Sequence, residues 1–365
     1  MSRSRIAPVR AMVLAAGEGR RLRPLTVFRA KPAIPLLGGS PIECAMELLR
    51  RAGVNEVVVN LHHNPETIED TLARTDWGKD FVLHYSREAE ILGTAGGLKQ
   101  AEDRLSDGTF VLVNGDTILD TDVSALVAWH REHSAEATLL LRPKPAGSRY
   151  TGLSLTDDGR IVSIGKKKNE ASSLMFAGLW VLEPTVFRRL APGRFARLEL
   201  DLLPKLILEG TAFGYVAEDP WFDIGTPERY LRACEEIARR GIFRGTWRAE
   251  VVASPPDSPS DSLVLAGPDT SIDPEARFTG VSILGAKCRV ERGARLRRAV
   301  LWDGVTVGDS SVVRDSVIAN DVSLAPASRV VDQVVARLRR GDGGERASLR
   351  AREIVGDCVV APIRS

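Results

Sequence analysis

The sequence predicts an α/β protein in two parts, a doubly wound mixed sheet followed by a parallel β-helix. From Val9 to about Gly245, apolar β-rich runs alternate with helical patterns, which is typical of βαβ units and a mostly parallel sheet. After a Ser/Pro/Asp-rich stretch, aliphatic residues recur every six positions, the spacing of stacked β-helix coils. The 365 residues also exceed one ordinary domain.

The predicted strands of the first part are short apolar runs, several of them continuous, which is typical of strands buried on both faces. They are Ala11–Leu14, Glu56–Leu61, Phe81–Tyr85, Phe110–Val113 and Ala137–Leu141. Helices are predicted between them. One covers Pro41–Ala52 and ends at Gly53 as its C-cap. Another covers Asp122–His133, with Asp122 as its N-cap.

The second part carries two interlocked six-residue rows. The first row is Ile272, Phe278, Leu284, Val290 and Leu296, and the second is Ala276, Ser282, Cys288, Ala294 and Val300. After a slip of one residue the rows resume as Leu301, Val307 and Val313 with Val305, Ser311 and Val317. Two locked rows predict a β-helix in which each hexad forms one flat side. The alternative is a β-sandwich of short strands.

These patterns predict four segments. The α/β domain covers residues 9–245, and a linker whose Ser/Pro-rich composition cannot bury a core covers 246–262. The β-helix covers 263–331. The last segment, 332–365, is Arg-rich around Arg337–Arg340 and is predicted to be a cap or tail.

Composition excludes several classes of protein. The 50 basic and 48 acidic residues leave a net charge of +2, without the excess typical of nucleic-acid binders. No apolar run reaches the roughly 18 residues of a membrane span, and Met1–Pro8 lacks a signal-peptide core. We therefore expect a cytoplasmic protein. The widely spaced cysteines, expected to be free core thiols, are Cys44, Cys234, Cys288 and Cys358.

A glycine-rich turn follows the first predicted strand. It lies in Leu14–Thr26, which reads LAAGEGRRLRPLT. Such a turn exposes backbone N–H groups that hold phosphate oxygens, and arginines add charge-assisted donors. It is not a Walker loop, because no Gly-Lys-Ser/Thr follows, and it lacks the third glycine of a dinucleotide fingerprint. Taken alone, it also fits a turn with a solvated basic face.

This turn and the following Lys31–Pro35 resemble the opening signature of sugar-1-phosphate nucleotidylyltransferases. The resemblance extends over about Val9–Arg240 through LGTAGG at Leu92–Gly97, VNGD at Val113–Asp116 and WFDIGTP at Trp221–Pro227. It implies a Rossmann-like catalytic domain. The hexad region is similar to the left-handed β-helix of several branches, and VLWDGV at Val300–Val305 is similar to text in mannose-1-phosphate guanylyltransferases.

The resemblance implies Mg²⁺-dependent nucleotidyl transfer to a sugar 1-phosphate with release of pyrophosphate. It implies Asp116 and Asp223 as metal ligands, which fits the preference of Mg²⁺ for carboxylate oxygens. Arg21 matches the arginine that stabilises pyrophosphate, and Lys31 the lysine that contacts phosphate. The nucleophile is already anionic, so positioning and charge neutralisation carry the catalysis. Alone, Asn-Gly-Asp fits a turn and Lys31 a surface lysine.

The implied nucleotide contacts lie in the glycine-rich segments. They are Leu14, Ala15, Ala16, Gly17, Gly19, Arg21, Glu88, Gly93, Thr94 and Gly115. Glycines at Leu92–Gly97 would let backbone approach the base, the alternative being a helix start capped by Thr94. Glu88 occupies a position where relatives place a polar residue against the base, the alternative being a solvated loop glutamate.

The sugar-phosphate side departs from the family pattern. Gly152, Lys167 and Gly178 are the expected contacts. Where the family often has Glu-Lys-Pro, the sequence has GKKK at 165–168, so that Lys166 replaces the glutamate that holds sugar hydroxyls. Likewise Phe-Ala-Gly at 176–178 replaces Asn-x-Gly. The lysine triplet also fits a solvated loop.

The first functional hypothesis is GTP plus mannose 1-phosphate giving GDP-mannose. Alternatives are uridylyl, thymidylyl or adenylyl transfer to another hexose or amino-sugar 1-phosphate, since Val59–His63 resembles bacterial uridylyltransferases, or a non-catalytic NDP-sugar-binding subunit. Acyl transfer by the β-helix is disfavoured, because it usually needs a histidine base and all five histidines precede residue 134. The expected partners are an NTP, a sugar 1-phosphate and, through the β-helix, further copies of the chain.

Overall fold

The computed structural model describes residues 9–75, 77–165, 174–252, 255, 258–337, 353–355 and 357–364. The chain forms two compact units. The first unit contains the chain up to Glu18 and the segment from Ile42 to Phe222. The second unit contains Gly19–Pro41, which we call the signature loop, and the chain from Asp223 onward. The glycine-rich signature is therefore divided between the two units.

The first unit is built on a nine-stranded mixed sheet. The strands up to the unit boundary are β1 (Arg10–Leu14), β2 (Glu56–Leu61), β3 (Val82–Arg87), β4 (Phe110–Asn114), β5 (Thr117–Leu119), β6 (Ala137–Pro143), β7 (Leu153–Leu155), β8 (Ile161–Ile164), β9 (Leu174–Leu182), β10 (Ala212–Val216) and β11 (Trp221–Asp223). The sheet order is β10-β6-β9-β4-β1-β2-β3, with β7 and β8 beside β9. β1 runs parallel to β2 and β4, whereas β9 is antiparallel to β4 and β6.

Helices connect these strands as the sequence predicts. They are α1 (Pro41–Arg51), α2 (Pro65–Ala73), α3 (Gly93–Gln100), α4 (Glu102–Leu105), α5 (Val123–Glu132) and α6 (Leu203–Leu208). Asp122 caps α5, because its Oδ1 accepts from Ala125 N–H at 3.0 Å. Gly53 follows α1 with φ of 73°, as expected of a C-cap glycine. Across the described ranges, every helix is too short or too polar to cross a bilayer.

Strand β3 corrects the expectation of burial on both faces. The middle of β1, Ala11–Val13, is fully buried, but Val82 and Tyr85 in β3 are 60% and 39% exposed. β3 lies at the edge of the sheet, and in the described chain its partner is β2. An edge strand has a neighbour on one side only, so its apolar residues stay partly in water.

The second unit contains one long helix and a stack of short strands. They are α7 (Pro227–Arg240), β12 (Glu250–Val252), β13 (Leu263–Ala266), β14 (Ser271–Ile272), β15 (Arg277–Leu284), β16 (Arg289–Val290), β17 (Arg295–Leu301), β18 (Thr306–Val307), β19 (Val312–Ile318), β20 (Ser323–Leu324), β21 (Arg329–Val331), β22 (Gln333–Arg337), β23 (Glu353–Val355) and β24 (Cys358–Pro362). We call Leu263–Arg337 the coil domain.

The coil domain consists of parallel strands that stack at a regular step. Arg277 pairs with Arg295 and Arg295 with Val312, steps of 18 and 17 residues. Three hexads give 18 residues, and the predicted slip of one residue accounts for the shorter step. The predicted aliphatic row stacks inside, as Phe278, Leu296 and Val313 are buried in register. This parallel stacking differs from a sandwich of antiparallel sheets.

The end of the chain closes this stack. β22 extends it in parallel, with Val317 of β19 paired to Val334. β24 then runs antiparallel to both β22 and β23. Most of the predicted linker around 253–257 and most of the Arg337–Arg340 run lie outside the described residues.

All four cysteines are free thiols, as predicted. Burial raises the pKa of Cys234 to about 12 and that of Cys288 to about 11. Both thiols therefore stay protonated and act as packing groups at neutral pH.

Candidate active site

The predicted site residues fall in both units. The first unit holds Leu14, Ala15, Ala16, Gly17, Glu88, Gly93, Thr94, Gly115, Asp116, Gly152 and Gly178, and the second holds Gly19, Arg21, Lys31 and Asp223. Lys167 and its neighbour Lys166 lie outside the described residues. The two groups are described separately.

The carboxyl edge of the sheet carries the first group. Leu14 ends β1 directly beside Asn114 at the end of β4. Gly115 N–H donates to Leu14 O at 2.9 Å, so the two motifs adjoin in the fold. Asp116 follows at the same edge and is partly exposed. Ligands of open α/β sheets bind outside the carboxyl ends of the strands, so this edge is where phosphates are expected.

Gly17 leaves open space at this edge. A Cβ added at Gly17 would meet no heavy atom within 4 Å, and its φ is outside the left-handed region. The protein's own packing therefore does not require glycine here. That Gly17 lets a ligand approach the backbone stays a prediction.

A buried polar chain joins two of the predicted nucleotide-binding segments. Ala15 N–H donates to Asn60 Oδ1 at 2.7 Å, and Asn60 Nδ2 donates to Glu88 Oε1 at 2.7 Å. Leu92 N–H donates to Glu88 Oε2 at 2.8 Å. Asn60 and Glu88 are 3% and 5% exposed, so Glu88 is not a solvated loop residue. Whether Glu88 also faces a base stays a prediction.

Sequence reasoning missed Asn60 as a member of this chain. Its signal was a polar side chain inside an otherwise apolar strand, β2. A buried amide must find partners for its donors and acceptor. Asn60 finds them in a backbone N–H and a carboxylate, and so fixes the end of β1 to the loop before α3.

The glycines at Leu92–Gly97 lie close to other parts of the protein. A Cβ at Gly93 would lie 2.5 Å from Ala196 O, and one at Gly97 would lie 2.5 Å from Glu88 Oε1. These glycines therefore allow close contact with protein atoms. Contact between this backbone and a base stays a prediction.

Thr94 does not cap α3, contrary to the alternative considered from the sequence. Its Oγ1 accepts from Leu198 N–H at 2.9 Å. Ala95 N–H, at the start of the helix, donates to Ala196 O at 2.9 Å. The segment 196–198 thus holds the beginning of α3 in place.

The two acceptor-side glycines also have structural reasons. Gly178 has φ of 101°, and a Cβ there would lie 3.0 Å from Thr117 Oγ1 in β5. Gly152 is buried, and its carbonyl accepts from Gly165 N–H at 2.9 Å. Gly178 therefore lies against the residue that follows Asp116.

A cationic and aromatic cluster, missed from the sequence, lies beside Gly178. Trp221 Nε1 donates to Ala177 O at 2.9 Å, and the Tyr150 ring lies 5.7 Å from the Trp221 ring. The Arg142 guanidinium lies 5.1 Å over Trp221. Burial lowers the pKa of Arg142 below its usual value, and its buried Nε has no hydrogen-bond partner within the described ranges. The signal was an arginine ending the apolar strand β6.

The signature loop in the second unit folds onto itself. Gly19 has φ of 59°, and a Cβ there would lie 2.9 Å from Thr26 Cγ2. Thr26 Oγ1 donates to Gly19 O at 2.9 Å. Lys31 is 8% exposed, whereas Arg21 is exposed. The loop therefore holds Lys31 firmly and presents Arg21 to solvent.

Asp223 and Arg21 meet at the turn before α7. Asp223 Oδ1 accepts from Gly225 N–H at 2.7 Å, and Oδ2 accepts from Arg229 Nη1. A Cβ at Gly225 would lie 2.8 Å from Asp223 Oδ1 and 3.2 Å from Arg21 Nη2. Thr226 caps the helix by accepting from Arg229 N–H at 3.3 Å. Sequence reasoning missed Arg229, which orients the Asp223 carboxylate.

The donor set fits the implied magnesium ion. Asp116 and Asp223 offer hard carboxylate oxygens, and Asp223 is 16% exposed at its side chain. Mg²⁺ is usually bound by one or two carboxylates, with substrate phosphates and water completing its shell. No group of three or more candidate ligands occurs in the described chain.

Known proteins match both parts of the chain. Residues 10–240 match the family described as nucleotidyl transferase, and residues 261–365 match the GMPPB C-terminal domain. A UTP–glucose-1-phosphate uridylyltransferase from Synechocystis sp. is 32% identical over 359 residues, covering 90% of this chain and 87% of that protein. A mannose-1-phosphate guanylyltransferase from Mycobacterium tuberculosis is 29% identical over 313 residues, covering 84% and 83%.

A solved structure resembles part of the chain. It is the crystal structure of HddC from Yersinia pseudotuberculosis complexed with GMP-PN. Its TM-score is 0.55 at 25% sequence identity, and the match covers 63% of this chain and 99% of that one.

Proposed function

Because the chain belongs to the nucleotidyl transferase family, we propose that it transfers a nucleotidyl group from a nucleoside triphosphate to a sugar 1-phosphate. The observation that carries the proposal is the arrangement of the signature residues. Gly17 leaves open space at the carboxyl edge of the sheet, and Arg21 adjoins Asp223 at the Gly225 turn. Open backbone and an exposed guanidinium are suited to a triphosphate.

The residues of the chain would act by neutralising charge. The attacking sugar-phosphate oxygen is already anionic, so no general base is needed. Arg21 would hold the departing pyrophosphate, where negative charge accumulates in the transition state. Lys31, held inside the loop, would contact another phosphate. Because Gly17 has no side chain, the backbone after β1 would leave the path of the triphosphate open.

We propose that Asp116 and Asp223 bind Mg²⁺. When bound, the ion would draw charge from the phosphate oxygens and align them for attack. Arg229 holds the Asp223 carboxylate through an ion pair.

On the acceptor side we propose Gly152, Gly178 and Lys167 as contacts of the sugar 1-phosphate, with Arg142 as a further cation. Arg142 has a buried donor without a partner in the described chain, and its guanidinium lies over Trp221, whose Nε1 donates to Ala177 O. A bound phosphate or sugar hydroxyl would satisfy that donor. This would supply a polar contact where the family's glutamate is absent.

The proposed substrates are GTP and mannose 1-phosphate. The match of residues 261–365 to the GMPPB C-terminal domain and the guanylyltransferase relatives support this pair. UTP and glucose 1-phosphate are the second candidate, supported by the Synechocystis uridylyltransferase at 32% identity.

A pyrophosphate-release screen separates these candidates. Purified protein with Mg²⁺ is assayed with GTP, UTP, dTTP and ATP, each against mannose, glucose and amino-sugar 1-phosphates. We expect the highest kcat/KM for GTP with mannose 1-phosphate. A higher kcat/KM for UTP with glucose 1-phosphate would make these two compounds the proposed substrates instead. If no pair released pyrophosphate and the protein bound NDP-sugar tightly, the proposed role would change from enzyme to regulatory subunit.

We also propose that the coil domain is a left-handed β-helix, that it joins copies of the chain in a homo-oligomer and that the protein acts in the cytoplasm. Parallel steps of 17 and 18 residues support the β-helix. Sedimentation velocity tests the assembly, and a single species at the monomer mass of 39.7 kDa would contradict it.

A further inference from the structure

Trp302 is a residue of the coil domain whose role the proposed chemistry leaves unexplained. It lies in the VLWDGV segment, at the corner after β17. Asp303 Oδ1 accepts from Ala286 N–H at 2.9 Å, and Gly304 has φ of 72°. Asp303 and Gly304 therefore shape the corner itself. The corner does not explain the tryptophan, which is 2% exposed.

The indole of Trp302 is hydrogen-bonded to the buried helix α7. Its Nε1 donates to Tyr230 Oη at 3.0 Å, and Tyr230 Oη donates onward to Pro35 O. Tyr230 is fully buried, and burial raises its pKa well above 10, so the hydroxyl stays a donor at neutral pH. One hydroxyl thus joins the coil domain to the signature loop.

Both ends of this hydrogen-bonded connection lie near residues that we propose bind phosphate or metal. Pro35 lies four residues after Lys31, and the Arg29 guanidinium lies 5.8 Å over the Trp302 ring. Tyr230 follows Arg229, which holds Asp223. These residues all belong to the second unit. Trp302 therefore contacts the supports of the loop and of the turn before α7, without being one of the phosphate-binding groups.

We propose that Trp302 is a positioning residue for nucleotidyl transfer, acting through Tyr230 to hold the signature loop in the conformation that binds the triphosphate. This inference rests on the proposed function. It gives the coil domain a part in the active site beyond assembly of the oligomer.

The kinetic test uses Trp302→Phe, which keeps an aromatic ring beside Arg29 and removes the N–H donor. A typical hydrogen bond contributes about 1 kcal/mol, so we expect kcat/KM for the NTP to fall about fivefold. The KM for the sugar 1-phosphate should be unchanged, because its proposed contacts are not on this loop. A rise in both KM values alike would indicate general damage and overturn the proposal.

A double-mutant cycle tests the route through Tyr230. Tyr230→Phe removes the hydroxyl and with it both hydrogen bonds. If Trp302 acts through that hydroxyl, Trp302→Phe adds nothing further to Tyr230→Phe. Additive losses in the double variant would contradict the route.

Leu296→Ala is the matched control. Leu296 is buried in the core of the coil domain and belongs to its apolar cluster. The truncation should destabilise the coil domain by about 2–5 kcal/mol, while kcat/KM for the NTP stays within twofold below the unfolding temperature. An equal kinetic loss in Leu296→Ala would show that coil stability alone, and not Trp302, controls the loop.

Hydrogen exchange decides the inference without any turnover. The amides of Ala33, Ile34 and Leu36 are hydrogen-bonded inside the loop, and we expect them to exchange faster in Trp302→Phe and Tyr230→Phe but not in Leu296→Ala. Unchanged exchange in the first two variants would overturn the proposal. If the wild type released no pyrophosphate, the proposed function would fail, while this readout would still report whether Trp302 holds the loop.

Discussion

The two units hold their parts of the proposed site in different ways. In the first unit, the chain Ala15–Asn60–Glu88–Leu92 is buried and hydrogen-bonded between neighbouring strands, which holds rigid the backbone that we propose faces the triphosphate. In the second unit, the exposed Arg21 lies on a loop whose outer end is held by Tyr230, 195 residues away from Pro35. The sheet fixes the position of the site residues in the first unit, whereas the position of the loop in the second unit depends on the remote coil domain.

This difference assigns different roles to the two parts. A rigid sheet edge is suited to positioning the substrate, and a loop that presents an exposed guanidinium is suited to neutralising charge that develops during transfer. Substitutions in the two units should therefore give different kinetic signatures.

Replacing either proposed metal ligand should have the largest effect. Asp116→Asn in the first unit and Asp223→Asn in the second keep the side-chain volume and remove the charge that Mg²⁺ needs. We expect kcat to fall about 10³-fold or more in each, a size typical of lost electrostatic stabilisation. The measurement is pyrophosphate release at saturating substrates and varied Mg²⁺.

Asp120→Asn is the control for this pair, since Asp120 forms an exposed ion pair with Arg51. It should leave kcat within twofold. A loss confined to one of the two ligand variants would remove the other carboxylate from the metal site.

Two glycines of the signature should respond in opposite ways. Gly17→Ala fills open space without clash, so we expect an unchanged unfolding temperature and a kcat/KM for the NTP lower by about tenfold or more. Gly19→Ala forces a Cβ into a left-handed residue against Thr26, which should cost about 1–2 kcal/mol of stability. Thermal unfolding and steady-state kinetics on both variants check this. A stability loss in Gly17→Ala would mean that its glycine serves packing.

Glu88→Gln should weaken the rigid part of the site. Both oxygens of Glu88 accept hydrogen bonds, so an amide nitrogen would face another donor. We expect the free energy of unfolding to fall by about 1–3 kcal/mol, the cost of an unmade buried bond. Urea denaturation measures it. The control is Glu90→Gln, an exposed neighbour, and equal effects of the two substitutions would contradict the buried chain.

The smallest expected effect is a pH dependence of the free energy of unfolding that arises in the first unit. Burial lowers the pKa of His130 below 6.5 despite the neighbouring Glu183, and its ring bonds to Thr138 Oγ1 at 2.8 Å. Because the unfolded chain binds the proton more readily, stability is complete above about pH 6.5 and declines as the pH falls below it. Urea denaturation between pH 5 and 8 measures this slope. His130→Asn should abolish this contribution, and an unchanged slope in that variant would contradict it.

Much of the fold could be predicted from local pattern. The continuous apolar runs marked β1, β2 and β4, and the six-residue period marked the stacked strands. The edge position of β3 could not be predicted, because exposure depends on which strands pair across the chain. The same reason hides Trp302, whose partner Tyr230 is 72 residues away.

The site was predictable where one segment carries its own chemistry. The open Gly17 and exposed Arg21 agree with a turn suited to phosphate. The reasons for Gly93 and Gly97 lay instead in Ala196 and Glu88, and Arg229 lay beside a motif without belonging to it. The supporting residues therefore depend on contacts with other segments, which a local motif does not contain.

The account depends most on the loop of the second unit supplying charge to the reaction. The direct test is the rate of pyrophosphate release by Arg21→Ala at saturating NTP and sugar 1-phosphate, with the unfolding temperature measured alongside. Since Arg21 is exposed, we predict an unchanged unfolding temperature and a kcat lower by about 10²-fold or more. A kcat within twofold of the wild type would contradict the account.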